Sequence, residues 1–589
     1  MKVKFRRLVA ICLAAALCTT TAQAIVSNGA GQTMVRVGLA SSASGTAHGE
    51  LIGANLWNVE HYGAGYRFGY FDNRYNFVEL GRTSPDMVQV SVIKTQNTWF
   101  KGSDRNSYSN TDNGGTVVGC YHLRLPGDYL SYEQAAADAA IYGGFVAYIK
   151  GVYQVRVGSY VDRAGAEQAK AAIPNSEIVG TSSYGINVIQ SGTANILFQY
   201  DMGEGTRLAI MPDVTGAADA RTWFWGIKYR GGFTYQRFNG GNLTVANVVG
   251  LEDYVKGVAP YEMGNSWPLE ALKTQSICAR TYVMRQNRHN ALGFDVCNTA
   301  HCQVYNGTGS NSSGWGPTAV SDRAVNETAG QVLWYQDRLA ETYYSSSHGG
   351  ASEDAKNVWG TDTTVQYPYL CGVIDPYEKG ADSINSRSSW KVTYTAKELT
   401  NLLNNKGYGV GTTVDHLVLT YSKLGNVIKL EVNWANGQKN TFKPNSIRST
   451  FGLNSIRFTV NGQTVKPSEG TAEGGYLVNG SGQLNSLDGL YAINGSGTVG
   501  KTPSTPYTID GSGQVAELKP QKPGTPGSNE GGGTVKVSGS TYVFDGAGWG
   551  HQIGMSQFGA YAMAKQGFHY NEICEFYFPG THVGPIKSK

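Results

Sequence analysis

The sequence predicts an α+β protein, and three observations predict it. Residues 34–41 (MVRVGLAS) alternate apolar and polar positions as a half-buried strand does. From about residue 118, a unit of alternating strand, turn, Ala-rich helix and second strand occurs twice in succession. Far downstream, Pro268 opens a helical pattern in which Leu269, Leu272, Ser276, Ala279 and Val283 share one face.

Composition narrows the class. Hydrophobic residues make up 41% of the 589 and charged residues 16%, as in a folded extracellular protein. The 77 glycines and 36 tyrosines point to many turns, many strands and aromatic surface. A net charge of +4 with no concentrated basic patch gives no case for nucleic acid as a partner.

The N-terminus reads as an export signal. Lys2, Lys4, Arg6 and Arg7 precede an apolar run from Leu8 to Cys18, and Ala22-Gln23-Ala24 offers a cleavage site. The run is short for a membrane anchor, and no later stretch is apolar enough to span one. The expectation is a protein secreted to the extracytoplasmic, cell-wall side, with residues 1–24 removed and no membrane contact afterwards. An uncleaved anchor is the alternative. Six cysteines remain past the signal, too few for a disulfide framework in a chain this long.

The remaining elements follow in order. Residues 25–117 form a β-rich N-terminal segment. Over 118–195, Tyr121-His-Leu-Arg-Leu leads to Glu133-Gln-Ala, and Tyr153-Gln-Val-Arg-Val leads to Glu167-Gln-Ala. Two such β-α-β units build a ferredoxin-like sandwich. Residues 200–460 are mixed α/β, with a further helix expected at 396–405. Residues 462–538 are rich in Gly, Ser, Thr and Pro. The echoes at Val478, Ile493 and Ile509 read as β-hairpins turning on Asn-Gly or Asp-Gly, and 519–533 reads as a linker. Residues 539–589 return to core-like character.

Two resemblances add to this reading. The segment YQVRVGSYVDRAGAEQAK at 153–170 resembles the second half of a SPOR domain, and YHLRLPGDYLSYEQAAADA from 121 a weaker first half. The resemblance implies binding of glycan strands stripped of their stem peptides. The stretch 249–283, VGLEDYVKGVAPYEMGNSWPLEALKTQSICARTYV, resembles the SpoIID/LytB family. Further blocks match in order: CQVYNG from 302, NETAGQVL from 326, YSSSHGG from 344, YPYL from 367 and GWGHQIGMSQFGA from 548. The match spans about 200–460 plus 540–583, with Val35-Arg-Val-Gly-Leu as its first strand. It implies a SpoIID-type catalytic domain carrying the SPOR-like unit and the Gly-rich segment as insertions.

The family resemblance implies a lytic transglycosylase acting on denuded peptidoglycan glycan. Cleavage of a glycosidic bond needs an acid at the leaving oxygen. Glu262 matches the family's glutamate, and its apolar neighbours Val258 to Tyr261 favour a raised pKa. The alternative for Glu262 is a structural carboxylate near a helix start. Lys273 and Arg280 fall on one helix face and match positions the family uses around its site; each is equally readable as a structural cation. Gln303, Tyr305, Ser346, His348 and His551 are candidate sugar-binding residues from the other blocks. His348 stands where the family more often has a small residue, and Gln552 and Phe558 stand for the usual Gly and Trp.

His289, Cys297, His301 and Cys302 lie within fourteen residues and can close a tetrahedron on zinc. Such a site would be structural, so catalysis requires no cofactor. A Cys297–Cys302 disulfide and free buried groups are the other readings. The competing function is a non-catalytic enhancer of a cell-wall amidase, as LytB-type relatives are described. Expected partners are therefore peptidoglycan glycan strands and, on the second reading, an amidase.

Overall fold

The strand over Met34–Ala40 lies inside a seven-stranded sheet, hydrogen-bonded antiparallel along Leu243–Gly250 with Val35 opposite Val249. Its other neighbour is the short strand Val296–Cys297. The computed structural model describes residues 28–29, 31–58, 64–102, 107–213, 219–310, 316–360, 366–464 and 532–587, with short strands between 476 and 517. The signal segment, the 519–531 part of the linker and the Asn-Gly and Asp-Gly turns lie outside the described residues.

A second sheet of ten strands packs on the first. At one end run Glu177–Gly180, Tyr121–Arg124, Val152–Tyr160 and Phe145–Ile149, in that order. This is the strand order of a β-α-β-β-α-β unit. Its helices are Tyr132–Tyr142 and Arg163–Lys170. Each starts where a short polar side chain takes up a free amide: Ser131 accepts from Gln134 N, and Asp162 from Gly165 N. Leu123, Val155 and Val157 face Ala135, Ala139 and Ala166 of these helices.

The unit does not stand apart. Phe145–Ile149 pairs in parallel with Ile196–Asp201, and the sheet continues through Ile186–Gln190, Gln89–Lys94, Gly53–Asn58, Thr222–Phe224 and Ile227–Tyr229. The face opposite the helices is covered at its centre. Phe100 and Val118 of the hairpin Thr98–Phe100/Thr116–Val118 pack on Ile93, Phe145, Ala147 and Ile189. Beside them the buried Arg156 guanidinium donates to Gln199 Oε1 (2.6 Å) and Gln154 Oε1 (3.1 Å), which satisfies part of a costly buried charge.

The stretch 200–460 contributes to three cores rather than one. Its first strands complete the N-terminal sheets, since Met34–Ala40 needs Leu243–Gly250 as a neighbour. A second core surrounds the helix Leu269–Arg285 and takes in the C-terminal helices Gln557–Lys565 and Tyr570–Tyr577. A third forms from 390–460 together with 535–544. Here Trp390–Thr395 and Phe458–Val460 flank Thr541–Gly546, and Val414–Tyr421 pairs with Thr534–Ser538. The helix at Ala396–Asn404 carries a Thr395/Glu398 capping box. The Gly-rich segment thus leaves and re-enters this third core. Within it Tyr476–Val478, Tyr491–Ile493 and Tyr507–Ile509 each pair antiparallel with a strand that follows. Among the described residues no helix is long and apolar enough to cross a membrane.

One buried carboxylate ties the late segments together. Glu378 accepts from the Ser347 hydroxyl, from His348 N (2.9 Å), from Gly349 N (3.0 Å) and from Ser556 Oγ (2.9 Å). Replacing it with alanine strands several buried donors, each costing about 1–3 kcal/mol. Glu378→Ala is expected to lower unfolding free energy by at least ~3 kcal/mol in a denaturant titration, and an unchanged midpoint would contradict this role.

Candidate active site

The strand Leu243–Gly250 runs directly into the helix Leu251–Lys256, and the short helix Ala259–Glu262 follows. The chain breaks after Glu262 because Met263 is extended, and the long helix begins after Pro268. Glu262 is therefore held at a helix end, between elements fixed by the core.

Its carboxyl is clasped by groups from distant blocks. Val304 N donates to Oε1 at 3.1 Å. The side chains of Tyr344 and Gln557 also hydrogen-bond to it. Desolvation outweighs these bonds and raises the pKa above the usual carboxylate value. A chain of bonds supports the Tyr344 hydroxyl from behind: Gln303 Nε2 donates to it at 3.1 Å, and Tyr254 OH donates to Gln303 Oε1 at 2.8 Å. Tyr254 in turn stacks on Tyr305, ring centroids 5.1 Å apart.

Aromatic side chains cluster at the chain neighbours of two clasp residues. Next to Gln557, Phe558 packs against Trp267 (5.0 Å), which also meets Tyr561 (5.2 Å). Next to Tyr344, Tyr343 meets Trp359 (4.7 Å), and Trp359 meets His551 (5.6 Å). Trp359 is 38% exposed. Rings of this kind present flat apolar faces together with polar edges, as sugar sites require.

Several sequence-predicted sugar-binding residues are placed otherwise. Arg280 is fully buried, so it cannot reach a ligand. Its guanidinium grips Glu252 (Nε to Oε1 3.0 Å, Nη2 to Oε2 2.6 Å) and the Gln331 carbonyl (3.0 Å). Lys273 is ion-paired to Glu270 (2.8 Å) and Glu327 (2.7 Å). Tyr305 is buried and donates to Asn247 Oδ1 at 2.7 Å. Gln303 is buried too, and acts on Glu262 through Tyr344. His348 is buried, its Nε2 3.1 Å from Ser345 Oγ, and burial lowers its pKa to about 3. Ser346 is half-buried and its carbonyl accepts from Phe558 N. His551 remains in the aromatic wall, with burial lowering its pKa to about 3.

The departures at 348 and 552 are physically linked. Gln552 adopts φ of 63°, a left-handed backbone that suits glycine. Its side chain offsets that strain: Nε2 donates to the His348 carbonyl (2.9 Å) and Oε1 accepts from Ile456 N (3.1 Å).

The four candidate metal ligands converge. The nearest donor atoms of His289, Cys297, His301 and Cys302 all lie within 4.8 Å of one another. Cys297 Sγ is 3.4 Å from His301 Nδ1, and Cys302 Sγ is 3.4 Å from His289 Nε2. Both thiols are free, not bridged. The two 3.4 Å separations match the edges of a small tetrahedron with metal–ligand bonds of about 2.0–2.3 Å.

The comparisons with known proteins bear on this site. Residues 239–335, which hold Glu262 and the loop to Val304, match the family described as SpoIID, stage II sporulation protein. An uncharacterized protein of Brachyspira hyodysenteriae is 30% identical over 361 residues, covering 61% of this chain and 73% of that protein. The chain carries a SpoIID family domain. The amidase enhancer of Bacillus subtilis is 31% identical over 332 residues, 56% of this chain and 40% of that protein. Stage II sporulation protein D of Bacillus subtilis is 26% identical over 360 residues, 58% of this chain and 76% of that protein.

Sequence reasoning missed Tyr344, Gln557 and Tyr254 in this SpoIID-domain protein. Tyr344 and Gln557 sit inside blocks quoted for the resemblance, yet nothing in a block's letters says which side chain faces the acid. The Tyr344 bond lowers the Glu262 pKa, so removing it must raise that pKa further. In Tyr344→Phe the titration of the Glu262 carboxyl, followed by infrared difference spectra, is expected to move to higher pH. A downward move would place Tyr344 elsewhere. Arg280→Ala leaves Glu252 without its cation and is expected to cost about 3–5 kcal/mol, measured by denaturant unfolding.

Proposed function

We propose that this protein cuts denuded peptidoglycan glycan strands as a lytic transglycosylase, with Glu262 as the acid and then the base. The observation that carries the reading is a desolvated glutamic acid whose hydrogen-bond partners are an amide, a phenol and a carboxamide. A raised pKa keeps Glu262 protonated at higher pH than an exposed glutamate, as proton donation to a leaving oxygen requires. A glycoside hydrolase would pair it with a second carboxylate at a set separation. In the proposed reaction Glu262 protonates the oxygen between the muramic residue and its neighbour, and that bond breaks. The C6 hydroxyl of the same muramic residue bonds to C1, and the Glu262 carboxylate takes the hydroxyl proton. The product carries a 1,6-anhydro end, and no water is consumed.

The unit at 118–195 is proposed to add a SPOR-type hold on glycan. Its centre opposite the helices is filled by the 98–118 hairpin, so its glycan contacts fall outside that covered patch. Action on the extracytoplasmic, cell-wall side after export follows from the signal-like N-terminus. A second reading rests on the relative named as an amidase enhancer: the protein binds glycan and stimulates a partner amidase without cutting.

The proposed structural metal is zinc, held by His289, Cys297, His301 and Cys302. It would supply rigidity to the loop that continues directly into Gln303 and Val304, the residues that orient Glu262.

Mass spectrometry of amidase-treated glycan incubated with the wild type is expected to show anhydro-muramic ends, with Glu262→Gln giving none. Reducing ends would mean a hydrolase. No cleavage, with amidase stimulation retained, would favour the enhancer reading. Elemental analysis is expected to find about one zinc per chain, and chelation to lower the melting temperature. A melting temperature indifferent to both chelator and His289→Ala would sink the zinc site.

A further inference from the structure

At the far end of the ten-stranded sheet lies a feature outside the Glu262 clasp. Trp57 and Trp223 are directly paired across the strands Gly53–Asn58 and Thr222–Phe224. Side chains directly opposite in a sheet project from the same face. Trp57 is 54% exposed, a large apolar surface for an unpartnered indole in water. On the next strand Lys228 is paired with Trp223, and its Nζ lies 5.1 Å from the Trp223 ring centre. The sheet edge thus presents two indoles in register, with an ammonium bracing the second.

This edge is fastened to the loop that holds the acid. Lys228 N donates to the Gly309 carbonyl (2.9 Å), and the Lys228 carbonyl accepts from Thr308 N (2.7 Å). Asn306 N donates to the Gly257 carbonyl, and Val304 N reaches Glu262. The backbone from Val304 to Thr308 can span at most roughly 15 Å. The indole pair is therefore short of any long tether from the reacting position, and moves with it.

We propose that Trp57, Trp223 and Lys228 form a remote saccharide-stacking platform, which holds a length of the glycan strand away from the scissile bond. This rests on the proposed glycan-cutting role of Glu262. Indole faces suit the apolar faces of pyranose rings, and an ammonium suits the carboxylate that a denuded muramic residue carries. Cross-strand pairing fixes the backbone beneath both indoles, and Lys228 braces the Trp223 ring, so less freedom is lost when the strand lands. Longer glycans are expected to gain most from the platform, because only they can occupy it and the Glu262 site together.

The test uses the mature full-length protein carrying Glu262→Gln, so that binding is read without cleavage. Calorimetric titration with amidase-derived glycan oligosaccharides of defined length compares this background with added Trp57→Ala, Trp223→Ala or both. Long strands are expected to bind at least tenfold more weakly to the double variant, with single disaccharides unchanged. Lys228→Gln is expected to flatten the salt dependence of long-strand binding. Trp57→Tyr and Trp223→Tyr are expected to restore most of the affinity, which separates stacking from a folding defect. Equal affinity for long strands with and without the indoles overturns the platform. Loss of disaccharide and long-strand binding alike, in a double variant with an unaltered melting curve, also overturns it, since the indoles would then belong to the cleft itself. Indole-dependent binding to anionic lipid vesicles in place of glycan overturns it in favour of a membrane surface. Absence of any glycan binding in the Glu262→Gln background is a different result, and removes the proposed function on which the platform rests.

Discussion

The Arg280–Glu252 pair is the constraint on which the Glu262 site depends. A guanidinium with no solvent exposure must find partners for its N–H groups, or its burial would be ruinous. Glu252 supplies a two-pronged acceptor, the Gln331 carbonyl accepts from Nη1, and the Val325 carbonyl accepts from Nη2 as well. Glu252 also accepts from Gly330 N at 3.0 Å. The helix Leu251–Lys256, the helix Leu269–Arg285, the end of the helix Ala319–Glu327 and the strand Gln331–Tyr335 are thereby fixed against one another. Glu262 lies on the chain between the first two, so its backbone has little room to shift. The placement of Glu262 thus originates in a cation that is itself fully buried.

From that frame the protein builds its acid by balance rather than by burial alone. Desolvation pushes the Glu262 carboxyl toward its neutral form, while Val304 N–H, Tyr344 and Gln557 pull toward the ionised one. The proposed acid-then-base role of Glu262 would draw on both influences. A wholly apolar pocket would hold the proton too firmly, and a fully hydrogen-bonded one would never carry it. The phenol of Tyr344 is kept in place by Gln303 and Tyr254, so the balance does not depend on a freely rotating side chain.

What the sequence disclosed follows from how far each signal reaches. The strand at 34–41, the helix after Pro268 and the helix at 396–404 were legible because their periodicity and caps are local. The strand–helix repeat from 118 was legible for the same reason. The merging of that unit into a ten-stranded sheet was not, since the pairing of Phe145–Ile149 with Ile196–Asp201 is a long-range fact that leaves no local mark. At the site, Glu262 was singled out by the family resemblance, since its residue type and neighbours alone left it readable as a structural carboxylate, while the clustering of His289, Cys297, His301 and Cys302 was legible from their spacing. For Arg280 and Lys273 the sequence left a sugar contact and a structural cation equally readable, and Tyr305 read as a sugar contact, because a family position near the site looks the same in sequence whether it touches sugar or supports what does. Burial decides between those, and the letters of a motif do not encode it.

The His/Cys cluster and the acid also share one piece of backbone. Cys302 is followed directly by Gln303, which steadies Tyr344, and by Val304, whose N–H meets Glu262. The same loop then runs on to Asn306, Thr308 and Gly309, which bond to Gly257 and to both backbone groups of Lys228. A loop without regular hydrogen bonding would normally be the least stable part of such a site. Here it is pinned at its start by convergent thiols and imidazoles and at its end by the sheet edge. The short span between those pins is where the acid is oriented. Any force that loosens either end is therefore felt at the Glu262 carboxyl before it is felt in the core.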